Sequence, residues 1–362
     1  PQNPKTPGRD WKFYLFSLVE MVQTSTTIEQ VISKICEADT QYANPGRHLG
    51  YGTAGYRTKA SLLNRVCFRV GLVVAMRAKS VGRCGVMITA SHNHHADNGV
   101  KIVEPDGSML VPDWEPFSEQ IVNSEDLAES LRAVPSASVS NLLSNADQLF
   151  GVTPVEAPHS ANIQVCLAMD TRASSPELVD AVKHGLECFG VAFTDYGLLT
   201  TPQLHYMVVE KRNSAEDFTN AFIEFMQLAA STGEPARNYE TRMVLDCANG
   251  VGALPMKLVA DKIRGFLDIE LVNTTTEDTT GLNEGCGAEF VHKEVNLPSG
   301  VHARSPKKAA CFDGDADRLI YFKNLGELPV VIDGDKQFAL LMLYIVDLLR
   351  KLGIAEKVSH CL

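Results

Sequence analysis

At 362 residues the chain is longer than one typical domain and predicts two or three. Its residues are 45% hydrophobic and 21% charged, enough for ordinary soluble cores, and 33 basic against 44 acidic side chains leave a net charge of −11. That balance argues against nucleic acid or an anionic membrane as the main partner, since both need clustered Lys and Arg, but it allows a small phosphorylated ligand in a local positive pocket.

Nine cysteines occur without a C-x-x-C pair or a Cys/His zinc spacing, which fits reduced thiols and a cytoplasmic location better than a disulfide framework. The apolar run Phe13–Val19 follows Arg9 and Lys12 as in a signal peptide. Glu20 interrupts it, however, and no small-residue cleavage site follows. No stretch reaches the ~20 apolar residues of a membrane span. Asn273-Thr274-Thr275 matches a glycosylation acceptor, idle in a cytoplasmic protein.

Residues 1–47 lack a clear pattern, end in the loop-like Ala43-Asn44-Pro45-Gly46, and read as an extension outside the core. Gly52-Thr53-Ala54-Gly55-Tyr56-Arg57 follows, a small-residue loop whose backbone can approach a phosphate and whose Arg57 supplies a bidentate fork. On its own such a loop is weak evidence. Leu63, Val66, Val70, Val73 and Val74, spaced three and four apart, predict an amphipathic helix, and Val86-Met87-Ile88 a buried strand. Ser91 then falls just past the end of a strand, where α/β sheets place their chemistry. Around it lie Thr89, His92, Asn93, His94 and His95, with Lys101 ten residues on. A serine in a polar loop is commonly structural, and adjacent side chains diverge, so His92 is not automatically its base.

Val165–Met169 predicts a strand ending at Asp170, and the next helix is capped by Ser174 or Ser175, carries Pro176 in its first turn and stops at Gly190. Val191-Ala192-Phe193 starts another strand. Met243–Leu245, a Gly-containing turn, a helix over 253–263 and a strand over 269–272 repeat this grammar. Alternation of this kind predicts parallel sheets in an α/β architecture. A helix within 210–241 presents Phe218, Phe222 and Phe225, which read as core packing and not as a cofactor box. Asp333–Lys336 opens a last helix running to about Lys351.

Asp313-Gly314-Asp315-Ala316-Asp317-Arg318 carries the strongest chemical signal. In an extended segment alternate side chains point the same way, so three carboxylates converge on one point. Such a set suits a hard cation such as Mg²⁺, which takes oxygen ligands and keeps room for a phosphate oxygen. A solvated acidic turn is the bland alternative, but three close carboxylates repel without a cation among them. An EF-hand fails because its required glycine is Arg318 and its terminal glutamate is Asn324. A serine able to carry a phosphoryl group beside such an ion is the minimum equipment for phosphoryl transfer.

Together these segments resemble the α-D-phosphohexomutase superfamily. The likeness covers Tyr51–Ala60, Thr89–Asn93 with Asp97–Lys101, Asp170–Arg172, Asp195–Tyr206, Asp246–Gly250, Cys286–Phe290 and Phe312–Arg318, and runs from about Tyr51 to about Leu352. The Gly197–Tyr206 run and Cys247 favour the branch acting on N-acetylglucosamine phosphate. His94 stands where the family usually has Pro, and Ala168-Met169 where it has Gly-Arg.

The resemblance implies an α/β fold of tandem domains with mixed, largely parallel sheets flanked by helices, over 48–205 (phosphoserine loop) and 206–322 (metal loop). Residues 323–362 would open an incomplete third domain, with the fourth absent. It implies that Ser91 is a phosphoserine, that Ser91, Asp313, Asp315 and Asp317 hold Mg²⁺, and that Arg57, Lys101 and Arg318 orient or neutralise phosphoryl oxygens. Asn93 would assist phosphate binding, and His92 would position the phosphoserine or relay a proton. The reaction implied interconverts N-acetylglucosamine 6-phosphate and 1-phosphate through a 1,6-bisphosphate, on the way to UDP-N-acetylglucosamine. The Glu-x-Asn-Gly sugar loop and the Arg-x-Ser-Gly-Thr phosphate loop would lie outside this chain, so impaired turnover is expected. A mutase for glucose or mannose phosphate, a slow phosphatase and a non-catalytic metal- and phosphosugar-binding remnant stay open, as does the oligomeric state.

Overall fold

The computed structural model describes residues 28–133, 163–232, 240–302, 305–325 and 328–353. The apolar run at 13–19 lies outside them. The chain divides into two compact units, the first formed from Pro1–Ala90 and Ala96–Ala215, the second from Ser91–His95 and Glu216–Leu362. None of the described helices is long and apolar enough to cross a membrane.

In the first unit, helix α1 (Ile28–Asp39) precedes strand β1 (Tyr56–Lys59), helix α2 (Asn64–Val81), and strands β2 (Arg83–Ile88) and β3 (Asp97–Val103). After these come α3 (Glu115–Val122), α4 (Leu127–Ala133), β4 (Gln164–Met169), α5 (Ser175–Cys188), β5 (Phe193–Leu198) and α6 (Thr201–Val209). The sheet order is β1-β3-β2-β4-β5. β2 runs parallel to β4 and β4 to β5, whereas β3 is antiparallel to both β2 and β1. Two of the four pairings are thus parallel, so the sheet is mixed, as expected, and evenly divided where a largely parallel one was expected.

The predicted stripe Leu63, Val66, Val70, Val73 and Val74 is fully buried in this core. α2 packs on α5 through two facing glycines. A Cβ on Gly71 would stand 2.3 Å from the Val182 carbonyl oxygen, and one on Gly185 would stand 2.2 Å from that of Phe68. Gly71→Ala is therefore expected to destabilise the protein by about 2–3 kcal/mol, read as a lower denaturation midpoint, because the opposing atom is backbone that cannot step aside.

Three local expectations change. Residues 1–47 read as an extension, yet α1 buries Ile32, Ile35 and Ala38 in the core of this unit. Its last residue, Asp39, accepts from Arg69 on α2 at 2.8 and 2.9 Å and also pairs with Arg65. Burial pushes the Asp39 carboxyl up, but the two guanidiniums win and hold it below its ordinary range. Arg69 also donates to the carbonyls of Ile121, Val122 and Ser124, so the buried charge is satisfied throughout.

Ser174 stands at the N-cap of α5 but its side chain caps nothing; both Ser174 and Ser175 accept from Asn98 Nδ2, and Ser175 donates to Asp170. The strand expected from Val191 begins at Phe193, because the Val191 N–H still closes the helix end on the Leu186 carbonyl.

The second unit holds α7 (Glu216–Thr232), β6 (Arg242–Asp246), α8 (Ala253–Lys262), β7 (Asp268–Val272) and α9 (Gly287–Glu294). It continues with β8 (Lys308–Phe312), β9 (Leu319–Asn324), β10 (Pro329–Ile332) and α10 (Gly334–Lys351). The order is β10-β9-β8-β6-β7, with β6 parallel to β7 and β8, and the β8–β9–β10 meander antiparallel.

The phenylalanine stripe of α7 is not core: Phe222 is 39% and Phe225 63% exposed. The helix instead turns Ile223 and Met226 onto Val259 and Ile263 of the α8 segment, leaving the aromatic rows to one side. α10 begins as expected, Asp333 capping the Lys336 N–H at 3.0 Å. Its apolar residues Phe338, Leu340, Leu341 and Leu343 are all more than half exposed.

Candidate phosphoserine and metal site

The Asp313–Arg318 loop joins β8 to β9, which are paired up to Phe312 and Leu319. The acids converge, but not along an extended backbone: the chain turns, with the Ala316 N–H on the Asp313 carbonyl and Ala316 in the left-handed region at φ 58°. One carboxylate oxygen from each of Asp313, Asp315 and Asp317 lies within 4.8 Å of the others. Asp313 and Asp315 are fully buried. Burial first, then the charges of Asp315 and Asp317, push the Asp313 carboxyl up to about 7, against the opposing pull of Arg318 and Ser91. Hard oxygen donors, close together and mutually repelling, two of them buried and that of Asp317 exposed, fit a divalent cation.

Ser91 belongs to the same unit although 222 positions separate it from Asp313. Its Oγ donates to Asp313 Oδ2 at 2.5 Å and accepts from Arg318 Nη2 at 3.3 Å. Ser91 is 3% exposed and itself left-handed at φ 52°. A non-glycine residue held there stores strain of about 1 kcal/mol, which the surrounding contacts must sustain.

Those contacts are specific. Asn283 Nδ2 donates to the carbonyls of Ser91 at 2.9 Å and Asn93 at 3.3 Å. Gly314 lets the two loops touch, since a Cβ there would lie 2.7 Å from the Ser91 carbonyl oxygen. His92 places Nδ1 3.5 Å from Ser91 Oγ and Nε2 3.9 Å from Glu289 Oε1. His94 stacks on His95 with ring centroids 3.9 Å apart.

Arg318 connects the parts: its Nε donates to Asp313 Oδ2 at 2.9 Å and its backbone N–H to Asp313 Oδ1 at 3.1 Å. Asp246, at the end of β6, accepts from the backbone N–H groups of Gly287 and Ala248 and from Asn273 Nδ2. Burial nevertheless raises its carboxyl to about 6. It fixes the start of α9, the helix that carries Glu289.

The structure thus brings together Ser91, His92, Asn93, Asp313, Asp315, Asp317 and Arg318. Arg57 and Lys101 belong to the first unit. There β1 pairs Arg57 with Gly99, so Arg57 and Lys101 share one face of that sheet, opposite the face that buries Tyr56 and Val100. Also in that unit, Thr89 donates to Asp170 Oδ2 at 2.8 Å, which accepts in turn from Arg172 Nε at 2.9 Å. Asn283 joins the site without having stood out in the sequence, and Glu289 joins it from the Cys286–Phe290 stretch of the resemblance, where no role was read for it. Only the place of Asn283 in a polar, Gly-containing turn hints at its role, because its contacts to the serine loop are long-range.

A family model described as "Phosphoglucomutase/phosphomannomutase, alpha/beta/alpha domain I" matches residues 71–129 and 141–226. Together with the relatives below, it makes the chain similar to members of the α-D-phosphohexomutase superfamily. Among them, the chain is 37% identical over 338 residues to the phosphoacetylglucosamine mutase of Sus scrofa, covering 89% of this chain and 58% of that one. It is 37% identical over 319 residues to phosphoacetylglucosamine mutase 1 of Schizosaccharomyces pombe, covering 84% and 58%. An Aspergillus fumigatus N-acetylphosphoglucosamine mutase, solved with GlcNAc-6P and magnesium, superposes with a TM-score of 0.73 at 34% identity, covering 90% of this chain and 60% of that one. The chain thus spans less than two thirds of the length of these relatives.

Proposed function

We propose that the chain acts as the phosphoserine- and metal-bearing part of a phosphoacetylglucosamine mutase, exchanging a phosphoryl group between Ser91 and N-acetylglucosamine phosphates. One observation carries the reading: Ser91 Oγ lies 2.5 Å from a buried carboxylate of a three-aspartate cluster. Asp313, Asp315, Asp317 and an oxygen of the phosphorylated Ser91 would hold Mg²⁺. When bound, the ion offsets the charge that builds on the transferring phosphoryl group.

The rest falls to the chain's own residues. Arg318 sets its guanidinium between Asp313 and the serine oxygen, where it stabilises the equatorial phosphoryl oxygens. The sugar 1-hydroxyl attacks the phosphoserine; its bond to phosphorus forms as the Ser91 Oγ–P bond breaks, and the proton the hydroxyl loses is matched by one gained on the freed Ser91 oxygen. In the second half, the bond from Ser91 Oγ to the 6-phosphorus forms as the sugar O6–P bond breaks, and the proton the serine gives up is matched by one taken up on the freed 6-oxygen; Asp313 Oδ2, which the hydroxyl already faces, orients it. Asn283 keeps the serine loop in place throughout. The roles proposed for Arg57 and Lys101, orienting phosphoryl oxygens, rest on the motifs that contain them.

The test is a half-reaction. Chain phosphorylated on Ser91 is mixed with Mg²⁺ and the 6-phosphate of N-acetylglucosamine, glucose or mannose, and bisphosphate formation is timed. N-acetylglucosamine 6-phosphate should accept fastest. Equal rates would replace the sugar assignment with a general hexose mutase. Release of inorganic phosphate alone would make the chain a phosphatase, and failure to phosphorylate Ser91 would leave only a binding role.

A further inference from the structure

The three nitrogens of the Arg318 guanidinium are engaged by three separate segments. Nε donates to Asp313 Oδ2 in the metal loop, Nη2 reaches Ser91 Oγ, and Nη1 donates to Glu289 Oε2 on α9 at 3.2 Å. The other oxygen of Glu289 is held by Lys293 one turn on, at 2.5 Å, with His92 Nε2 at 3.9 Å. Glu289 is only 21% exposed. Its helix is anchored where Asp246 accepts the Gly287 N–H at 2.6 Å and where Ala288 and Val291 are buried.

We propose that Glu289 is the positioning residue of the phosphoryl-transfer site, drawing Arg318 outward from the aspartates so that its fork faces the oxygen of Ser91. The reasoning is a balance of anions. Asp313 and, at 4.0 Å, Asp317 Oδ1 both attract the Arg318 side chain. Left to them alone, the guanidinium folds onto the carboxylates a cation needs and leaves the nucleophile. An ordinary exposed ion pair adds little to stability, and this one need not: a carboxylate at fixed distance sets direction for a planar, forked donor. Glu289 touches no reacting atom and acts through Arg318.

The inference rests on the function proposed above, so its test has one arm that does not. In the full chain, ¹⁵N spectra of the arginine side chains report the freedom of Arg318, whose signals are assigned by their loss in Arg318→Lys. The wild-type chain should show distinct, slowly exchanging Nη groups, and Glu289→Gln should collapse them; an unchanged spectrum would overturn the tether, whatever the chain's activity.

The second arm times phosphorylation of Ser91 from hexose 1,6-bisphosphate with Mg²⁺. Glu289→Gln should slow it about tenfold in the wild-type background and not at all in an Arg318→Ala background. Equal slowing in both backgrounds would show that Glu289 acts otherwise than through Arg318, which also sinks the proposal. A wild-type chain that takes no phosphate would count against the mutase reading, while the spectra still decide on the tether.

Discussion

Incubated with Mg²⁺ and a hexose 1,6-bisphosphate, the wild-type chain should gain the mass of one phosphoryl group at Ser91, and Ser91→Ala should gain none. The loss in rate should reach about 10⁴-fold or more, because the variant removes the only atom that forms the bond to phosphorus. Thr89 lies two residues away, but its Oγ1 is committed to Asp170, fully buried beside Arg172. Intact-mass spectrometry with peptide mapping reads the result, and phosphorylation of Ser91→Ala at the wild-type rate would remove Ser91 from the mechanism.

Replacing Asp315 by Asn should weaken Mg²⁺ binding on the order of a hundredfold by calorimetry, since a neutral oxygen stands in for one of three anionic donors. Asp315 is the instructive choice because Asp313 also holds Arg318 and Ser91, so its loss would confound several effects. The same cluster sets a pH dependence. With the Asp313 carboxyl raised to about 7, the folded chain keeps a proton that the unfolded chain has already lost.

Between the ordinary carboxylate range and about pH 7 the native state therefore binds more protons, and stability without metal falls as pH rises through that window. Mg²⁺ displaces the proton and restores what was lost, so its effect on melting temperature should be larger at about pH 8 than at about pH 5.5. Asp315→Asn should melt higher than wild type without metal at neutral pH and respond little to Mg²⁺. A variant as Mg²⁺-responsive as wild type would exclude the aspartates as the binding site.

Much of this was legible in the sequence where the signal is local. The three-and-four spacing of Val66, Val70, Val73 and Val74 gives α2 directly, and Val86–Ile88 and Val165–Met169 give the adjacent parallel strands, because burial periodicity belongs to each element by itself. The acid triad was legible because three carboxylates crowded into five residues repel one another until a cation sits among them. What escaped depends on distant partners. α1 looked patternless until Asp39 met Arg69 across thirty residues. Phe222 and Phe225 form a valid helical stripe, yet the packing against α8 selects the neighbouring row. The aspartates converge through a left-handed Ala316, a backbone state alanine itself does not advertise. Glu289 and Asn283 act only through residues far along the chain.

The left-handed backbone at Ser91 also has an evolutionary consequence. Threonine carries the same hydroxyl and lies one nucleotide away from any serine codon. A β-branched side chain, however, is a true outlier at positive φ and would press its extra methyl against its own main chain. The simplest chemical swap for this nucleophile, one that would keep the alcohol, is therefore opposed by the backbone conformation that presents it.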